Sequence, residues 1–250
     1  MDVSYRTEFR DVSGLSFVQR QEMGLLYLNY YDGVGIEQFL ADLEEKSEVL
    51  LLFHEDRLVG FTTLQMYTAP WQNQTVRIVY SGDTVVDKAH WGQQFLAFAW
   101  ISRMGQIKRE QPDMLLYWFV VVKGHRTFRY LPVFARSFYP NWIGQNAELK
   151  ALADYLAFQK FGRYYNAESG VVEFETSKGH LKDEIALPMQ AQQEKDSVRF
   201  FMSRNPGYRR GHELVCLCEL SEDNMKPFSR RLFNKDHLYE IRVAGAGPLS

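Results

Sequence analysis

Two side chains that can bind an anion, Lys88 and His90, lie in a short turn between an apolar strand and an apolar helix. Gly92 follows them, and the apolar side chains take on helical spacing from about Trp91. A helix that begins there directs its free N–H groups and the positive end of its dipole toward the turn. The turn from Asp87 onward is therefore a candidate site for a phosphate or another anionic group.

The strand that leads into this turn contains a glycine at position 82. Val76, Ile78 and Tyr80 alternate with less apolar residues, and residues 84–86 resume a β-branched run. A glycine inside such a pattern often marks a β-bulge or a close backbone approach. Either feature interrupts the hydrogen-bond ladder and leaves an amide and a carbonyl free to meet a ligand.

Histidine and cysteine offer fewer candidates. His54, His90 and His125 are near strand ends or turns, where an imidazole can titrate near neutral pH, but none has the spacing of metal ligands. Each could equally be a surface or capping residue. Cys216 and Cys218 share one face of a predicted strand, which is poor geometry for a disulfide, so we expect two buried thiols and no bound metal.

Composition excludes some classes of partner. The 250 residues include 29 basic and 31 acidic side chains, and a net charge of −2 gives no general attraction to nucleic acid or to an anionic membrane. With 46% hydrophobic residues the chain can bury a large core. No apolar run is long enough to span a membrane and no secretion signal is recognisable, so we expect a cytoplasmic protein. The oligomeric state is open, with a homodimer as one alternative.

The elements that must position these groups are strands and helices of a mixed α/β protein. Apolar periodicity predicts a first strand within residues 3–12, helices over 15–31 and 36–43, strands over 48–54, 57–67 and 76–86, a helix from Trp91 to about Arg109, a strand over 114–122, and a helix over 125–138 with a kink or restart at Pro132. The strands near 49–54, 58–67, 75–86 and 114–122 are expected to form a contiguous mixed sheet, with the helix from Trp91 on one face.

The remaining residues contribute further elements to the same sheet. A helix is predicted over 148–165, a strand over 171–175, a short helix over 196–203 and a strand over 214–220. Neither an internal repeat nor a linker divides the chain. We therefore expect a single domain over 1–250, with a core at about 1–140 and a C-terminal extension at about 141–250 that completes the sheet.

The order of these elements, together with the segment TVVDKAHWGQQFLA, resembles the GNAT superfamily of N-acetyltransferases. In that family the fourth strand runs into a turn, Q/R-x-x-G-x-G/A, whose amides hold the pyrophosphate of coenzyme A. Gly92 matches a glycine of this turn, Trp91 stands at a basic position, and Gln94 and Leu96 replace small residues. The resemblance implies an α/β (α+β) fold with a mixed, mostly antiparallel central sheet, flanking helices, and extra C-terminal helices and strands.

The resemblance also implies roles for individual residues. The thioester and phosphates of coenzyme A, or of the phosphopantetheine on an acyl carrier protein, would lie against Val85, Val86, Lys88, His90, Trp91, Gly92, Gln93 and Gln94. Tyr130 is at the position of the acid that protonates the leaving thiolate, although it could instead be an ordinary core residue. Asp83 is at the position of a general base, although it could instead form an Asx turn, and one of the three histidines could serve as the base.

The function implied is an N-acyltransferase that moves an acyl group from acyl-CoA or an acyl carrier protein to the amine of a small molecule. The FLADLEEK helix and the GFTTL strand are also similar to acyl-homoserine lactone synthases and long-chain N-acyl amino acid synthases. Large residues in the phosphate turn predict weak binding of free coenzyme A, and so a carrier-protein donor or a long acyl chain. The alternative is an inactive binding or scaffold protein of the same fold.

Overall fold

The computed structural model describes residues 5–144 and 146–235. The strands in this part of the chain are β1 (Tyr5–Asp11), β2 (Tyr31–Asp32), β3 (Glu48–His54), β4 (Arg57–Trp71), β5 (Gln74–Val86), β6 (Leu116–Val122), β7 (Tyr165–Asn166), β8 (Val171–Val172), β9 (His180–Leu181) and β10 (Glu213–Glu219). The helices are α1 (Phe17–Leu28), α2 (Ile36–Glu44), α3 (Phe95–Glu110), α4 (His125–Phe128), α5 (Tyr130–Phe134), α6 (Ala147–Phe161), α7 (Asp183–Ala186), α8 (Gln190–Gln193), α9 (Asp196–Arg204) and α10 (Pro227–Phe233). None of these helices is long and apolar enough to cross a membrane.

The central sheet has the strand order β1-β3-β4-β5-β6-β10-β8-β7. The pairing of β5 with β6 is parallel, and the other pairings in this sheet are antiparallel. The predicted mixed, mostly antiparallel sheet flanked by helices is therefore confirmed. The contiguous order β3-β4-β5-β6 is confirmed as well, and β10, β8 and β7 continue the sheet beyond β6.

Alternation along each strand divides the core between the two faces of the sheet. On one face, Val79, Trp118 and Cys216 pack with residues of α3 and α5. On the other face, α1 and α2 cover β3 and β4, with Phe61 among the buried residues. The same face is covered by α6 over β6 and β10, where Phe119 is buried. On this face, α1 and α2 cover one half of the sheet and α6 covers the other half. The end of β5 lies between these two groups of helices.

The helix predicted to begin at Trp91 begins at Phe95 instead. Residues 88–90 form a separate 3-10 turn, in which the Asp87 carboxylate accepts a hydrogen bond from the amide of Ala89 at 2.9 Å. Gly92 then has a φ of +91°, a left-handed conformation that breaks a right-handed helix. The apolar spacing from Trp91 onward is real, but the backbone becomes helical one turn later.

The helix predicted over residues 125–138 is also corrected. It is interrupted between α4 and α5, and Pro132 lies in the first turn of α5, where no backbone donor is needed. The expected restart is therefore present, but the chain becomes extended at Ala135. There it forms bridges from Ala135 to Met225 and from Tyr139 to Leu217, and these long-range pairings override the helical spacing. The strand predicted over 171–175 is likewise shortened to β8.

Gly105 sets the distance between α3 and α10. A Cβ atom at this position would lie 1.7 Å from the carbonyl oxygen of Phe233, which is a backbone atom that cannot rotate away. We expect Gly105→Ala to lower the free energy of unfolding by about 3 kcal/mol, as overpacking does in a close contact. Urea unfolding of the variant measures this loss. The control is Gly14→Ala, because a Cβ at Gly14 meets nothing within 4 Å. Equal urea midpoints for Gly105→Ala and Gly14→Ala would contradict the predicted clash with the Phe233 carbonyl.

Candidate active site

The parallel strands β5 and β6 separate before either of them ends. Their pairing stops at Ser81 and Val120, whereas β5 runs on to Val86 and β6 to Val122. On its other edge β6 stays paired with β10 as far as Val122. A gap therefore opens between β5 and β6, and a cleft of about 1000 Å³ passes through it from one face of the sheet to the other.

The predicted bulge at Gly82 is present in the pairing of β4 with β5. Ser81 pairs with Leu64 and Thr84 with Thr62, so that Gly82 and Asp83 together oppose the single residue Thr63. A Cβ at position 82 would lie 2.5 Å from the Thr63 hydroxyl oxygen. The close approach expected from the interrupted strand pattern is present, because the Thr63 and Lys46 side chains would have to shift to admit a Cβ. The bulge is at the level where β5 and β6 separate.

Backbone groups of β5 face the gap at alternate residues. The Asp87 amide donates to the Val59 carbonyl at 2.7 Å, and the register pairs Val85 with Phe61. Hydrogen-bonded pairs alternate in an antiparallel ladder, so Val85 uses its backbone groups toward β4, and Thr84 and Val86 direct theirs into the gap. Of the two valines predicted to orient a thioester, Val86 thus has backbone groups available on this edge, and Thr84 joins it.

Trp91 covers part of this edge. Its indole N–H donates to the Val86 carbonyl at 2.8 Å, which leaves the Val86 amide as the free group. The guanidinium of Arg126 lies over the indole ring, 4.3 Å from the ring centroid, and donates to the Ile185 carbonyl. Trp91 is therefore held beside the gap rather than over the start of α3.

The start of α3 faces the same cleft with its amides uncapped. Gln94 precedes the helix without a side-chain hydrogen bond to it, and the Leu96 side chain is buried in the core, away from the amides. Gly92 and Gln93 line the cleft beside Gln94. Arg129 also lines it, and its guanidinium forms no hydrogen bond or ion pair within the part of the chain that the structure describes. The turn thus combines free amides with a nearby cation, which suits an anionic group.

Lys88 and His90 of the predicted set are directed elsewhere. The Nδ1 atom of His90 is hydrogen-bonded to the Tyr5 hydroxyl at 2.9 Å, and its ring centroid is 4.7 Å from that of His54. Burial, followed by the charge of His54, lowers the pKa of His90. The Lys88 amide donates to the Tyr30 hydroxyl at 2.6 Å, and its side chain is exposed. The cleft lining brings together Trp91, the residues that follow it, Tyr130 and Asp83.

Tyr130 begins α5 and borders the cleft on the α3 face. Its ring is stacked on that of Phe134, with the centroids 5.5 Å apart, and burial raises the pKa of its hydroxyl. The hydroxyl makes no hydrogen bond to any residue that the structure describes. A protonated phenol without a partner is what a proton donor requires before substrate binds.

A recess of about 30 Å³ adjoins Tyr130 below the gap. Trp100 and Trp118 are among its lining residues, and their ring centroids are 4.4 Å apart. The indole N–H of Trp118 donates to the Ser81 hydroxyl at 2.9 Å, so this polar group is satisfied internally. The recess is mainly apolar and has room for two or three water molecules, or for a group of similar size.

Asp83 borders the cleft on the opposite face of the sheet. Within the described residues its carboxylate forms no hydrogen bond or ion pair, so the Asx turn considered for it is not formed. Its negative charge adds to burial in raising the pKa of Asp42, and it acts in the same direction on the buried Tyr27 and Tyr80. The two predicted catalytic residues therefore lie on opposite faces of the sheet and open into one cleft.

Other lining residues come from segments without a sequence motif, among them Tyr27, Asp42, Arg126, Arg129 and Lys160. Apolar spacing predicts which face of a helix is buried, but it does not predict which polar side chains face the cleft. Cys216 and Cys218 are free, buried thiols as predicted, and burial raises the pKa of both. Within the described residues, no group of His, Cys, Asp and Glu side chains is arranged to hold a metal ion.

His125, the third histidine, is 1% exposed in α4, with Nε2 3.4 Å from the Gln192 amide oxygen. Burial, followed by the charge of Arg126, lowers its pKa to about 4. Between pH 6.5 and 4 the unfolded chain binds a proton at this residue and the folded chain does not. The neutral imidazole therefore contributes stability that is complete above pH 6.5 and is lost as the pH falls toward 4.

The expected slope from His125 is at most about 1.4 kcal/mol per pH unit. Urea unfolding at pH 7, 6 and 5 measures it, with His125→Phe as the variant that removes the titrating group. The variant should lose less stability than the natural protein over this range. Parallel curves for the two proteins would show that His125 does not contribute.

Comparison with known proteins gives structural likeness only. No family model matches the chain, and neither does any curated protein. A conserved protein of unknown function from Enterococcus faecalis V583, described as a probable N-acyltransferase, is similar with a TM-score of 0.40 and 10% identity, over 53% of this chain and 33% of that one. The GNAT family N-acetyltransferase YhbS from Escherichia coli, in complex with CoA, is similar with a TM-score of 0.37 and 13% identity. The match covers 52% of this chain and 70% of that one. Escherichia coli ElaA is similar with a TM-score of 0.36 and 16% identity, over 55% of this chain and 93% of that one.

Proposed function

We propose that this protein is a GNAT-like N-acyltransferase, which moves an acyl group from a pantetheine thioester to the amine of a small molecule. The observation that carries the proposal is the gap between β5 and β6, where an unpaired Asp83 and an unpaired Tyr130 open into one cleft from opposite faces. The pantetheine arm is a narrow, extended chain with two amides. Such a chain can lie along a strand edge with free backbone groups, as peptides do when they extend a sheet.

The reaction follows from this placement. The amine nitrogen attacks the thioester carbonyl carbon, and the Val86 amide stabilises the negative oxygen of the tetrahedral intermediate. Asp83 accepts the proton that the amine loses as the C–N bond forms. The C–S bond then breaks, and Tyr130 donates its proton to the thiolate and is later reprotonated from solvent. The products are an amide and a free thiol.

For the donor, we propose a preference for an acyl carrier protein over free acetyl-CoA. Gln94 lines the cleft at the start of α3, where the turn of the resembling family has a small residue, and this weakens a site for pyrophosphate more than one for a single phosphodiester. The mouth of the cleft on this face also carries Val133 and Phe228, which are 45% and 42% exposed, near the unpaired Arg129. Exposed apolar side chains beside a cation suit an acidic protein partner.

The recess beside Tyr130 limits the size of the acyl group that can bind there. Its volume of about 30 Å³ accommodates an acyl group of two or three carbons. A longer chain would have to lie along the open cleft, because the recess has no room for it.

The test is amine-dependent release of thiol from acetyl-CoA, a long-chain acyl-CoA and the matching acyl carrier proteins, with a mixture of small amines. We expect release that needs both thioester and amine, and that is faster with a carrier-protein donor. Binding of thioesters without any transfer would support the inactive scaffold instead. Tight binding of acetyl-CoA with efficient transfer would contradict the donor preference and leave the reaction class intact.

A further inference from the structure

Two opposite charges without ion-pair partners face the acceptor side of the cleft. Asp83 is one of them. The other is Lys160, on α6, which is half-buried and donates to the Gln65 amide oxygen at 3.2 Å. Its ammonium lies 4.3 Å from the centroid of the Tyr80 ring, and among the described residues no carboxylate is within 4.0 Å of it. A partly desolvated cation without a counter-ion is costly, and an anion from a ligand would offset that cost.

The bulge brings these two charges to the same face of the sheet. Residues three apart on a regular strand face opposite sides, but the extra residue at Gly82 returns Asp83 to the face of Tyr80. Strand geometry keeps the Cα atoms of Tyr80 and Asp83 within about 10 Å of each other. Lys160 over the Tyr80 ring and Asp83 along the same strand therefore border the same part of the cleft.

Two tyrosine hydroxyl groups border this part of the cleft as well. Tyr27 is 3% and Tyr80 is 7% exposed, and both side chains border the cleft. Neither hydroxyl has a hydrogen-bond partner within the part of the chain that the structure describes. Both hydroxyls are therefore available to form hydrogen bonds with polar atoms of a ligand in the cleft.

The charges around Lys160 have both signs. Lys46 adds to burial in lowering the pKa of Lys160, and three carboxylates act in the opposite direction, those of Glu45, Asp42 and Glu213. Lys160 and Asp83 are nevertheless two poles of the cleft that lack an ion-pair partner among the described residues. A ligand that carries both signs can pair with both poles.

We propose that the acyl acceptor is a small primary amine that also carries an anionic group, a carboxylate or a phosphate, with the amine at Asp83 and the anionic group at Lys160. This assignment rests on the proposed function for the transfer step. Tyr27 and Tyr80 contribute hydrogen bonds between the two poles. The amine then points toward the gap, where the thioester lies.

The experiment compares acceptors in pairs that differ only in the anionic group: phenylalanine with phenethylamine, and O-phosphoethanolamine with ethanolamine. Binding is measured by calorimetry and transfer by thiol release. In at least one pair the anionic member should bind about 10- to 100-fold more tightly, the range of a hydrogen bond to a charged group. Lys160→Met should remove this advantage, so that both members of the pair bind with similar affinity.

The control is Lys150→Met, because Lys150 lies on the same helix and pairs with Asp154. It should keep the preference for the anionic member. Equal binding of both members in both pairs, or an equal loss for both in Lys160→Met, would overturn the assignment even if transfer is observed. Selective binding that depends on Lys160 supports it even if no transfer is found, in which case only the proposed reaction fails.

Discussion

Replacement of Tyr130 by phenylalanine is expected to lower kcat by about 10²- to 10⁴-fold, the effect of losing a general acid. The phenol borders the cleft and has no hydrogen-bond partner among the described residues, and burial raises the pKa of its hydroxyl, which disfavours the phenolate. Phenylalanine keeps the ring and its stacking on Phe134. Fold and thioester affinity should therefore be preserved while protonation of the thiolate is lost.

The measurement is single-turnover transfer, so that product release does not mask the chemical step. Tyr164→Phe is a matched control, because Tyr164 also borders the cleft but lies on the α6 side, away from the recess. Its rate should be close to that of the natural protein. An unchanged rate in Tyr130→Phe would assign Tyr130 to the core, where its ring packs against the cluster that includes Phe134.

Replacement of Asp83 by asparagine is expected to lower kcat/KM by about 10²- to 10³-fold, because the amine then has no group to accept its proton. Asparagine has the same shape and leaves the bulge undisturbed. Raising the pH should restore part of the rate, since a larger fraction of the free amine is already unprotonated. This recovery distinguishes a lost base from a damaged fold.

Separate kcat and KM values for Asp83→Asn and Asp42→Asn, measured across a range of pH, distinguish the two roles. Asp42 lies on α2 rather than on the edge of the gap, so its replacement should weaken acceptor binding more than it slows the transfer. Equal losses of kcat in the two variants, without recovery at high pH, would show that Asp83 acts through charge alone.

The sequence pattern alone was sufficient to predict much of the central sheet. Alternation and apolar runs located β3, β4, β5 and β6, because a strand buried on one or both faces must repeat its apolar residues accordingly. Gly82 signalled a bulge, since a side chain there would meet Thr63. These features depend on residues that are neighbours in sequence or lie on adjacent strands, so the sequence alone determines them.

Tertiary contacts decided the boundaries and most of the site. Gly92 in a left-handed conformation delays α3, and pairing of Ala135 with Met225 ends α5 early. The indole of Trp91 turns to the Val86 carbonyl, and Lys160 reaches the Tyr80 ring from α6, which is distant in sequence but covers the same face of the sheet. Apolar periodicity indicates which face of a helix or strand is buried. It does not indicate which residues of other elements that face contacts, because those contacts depend on how the elements pack.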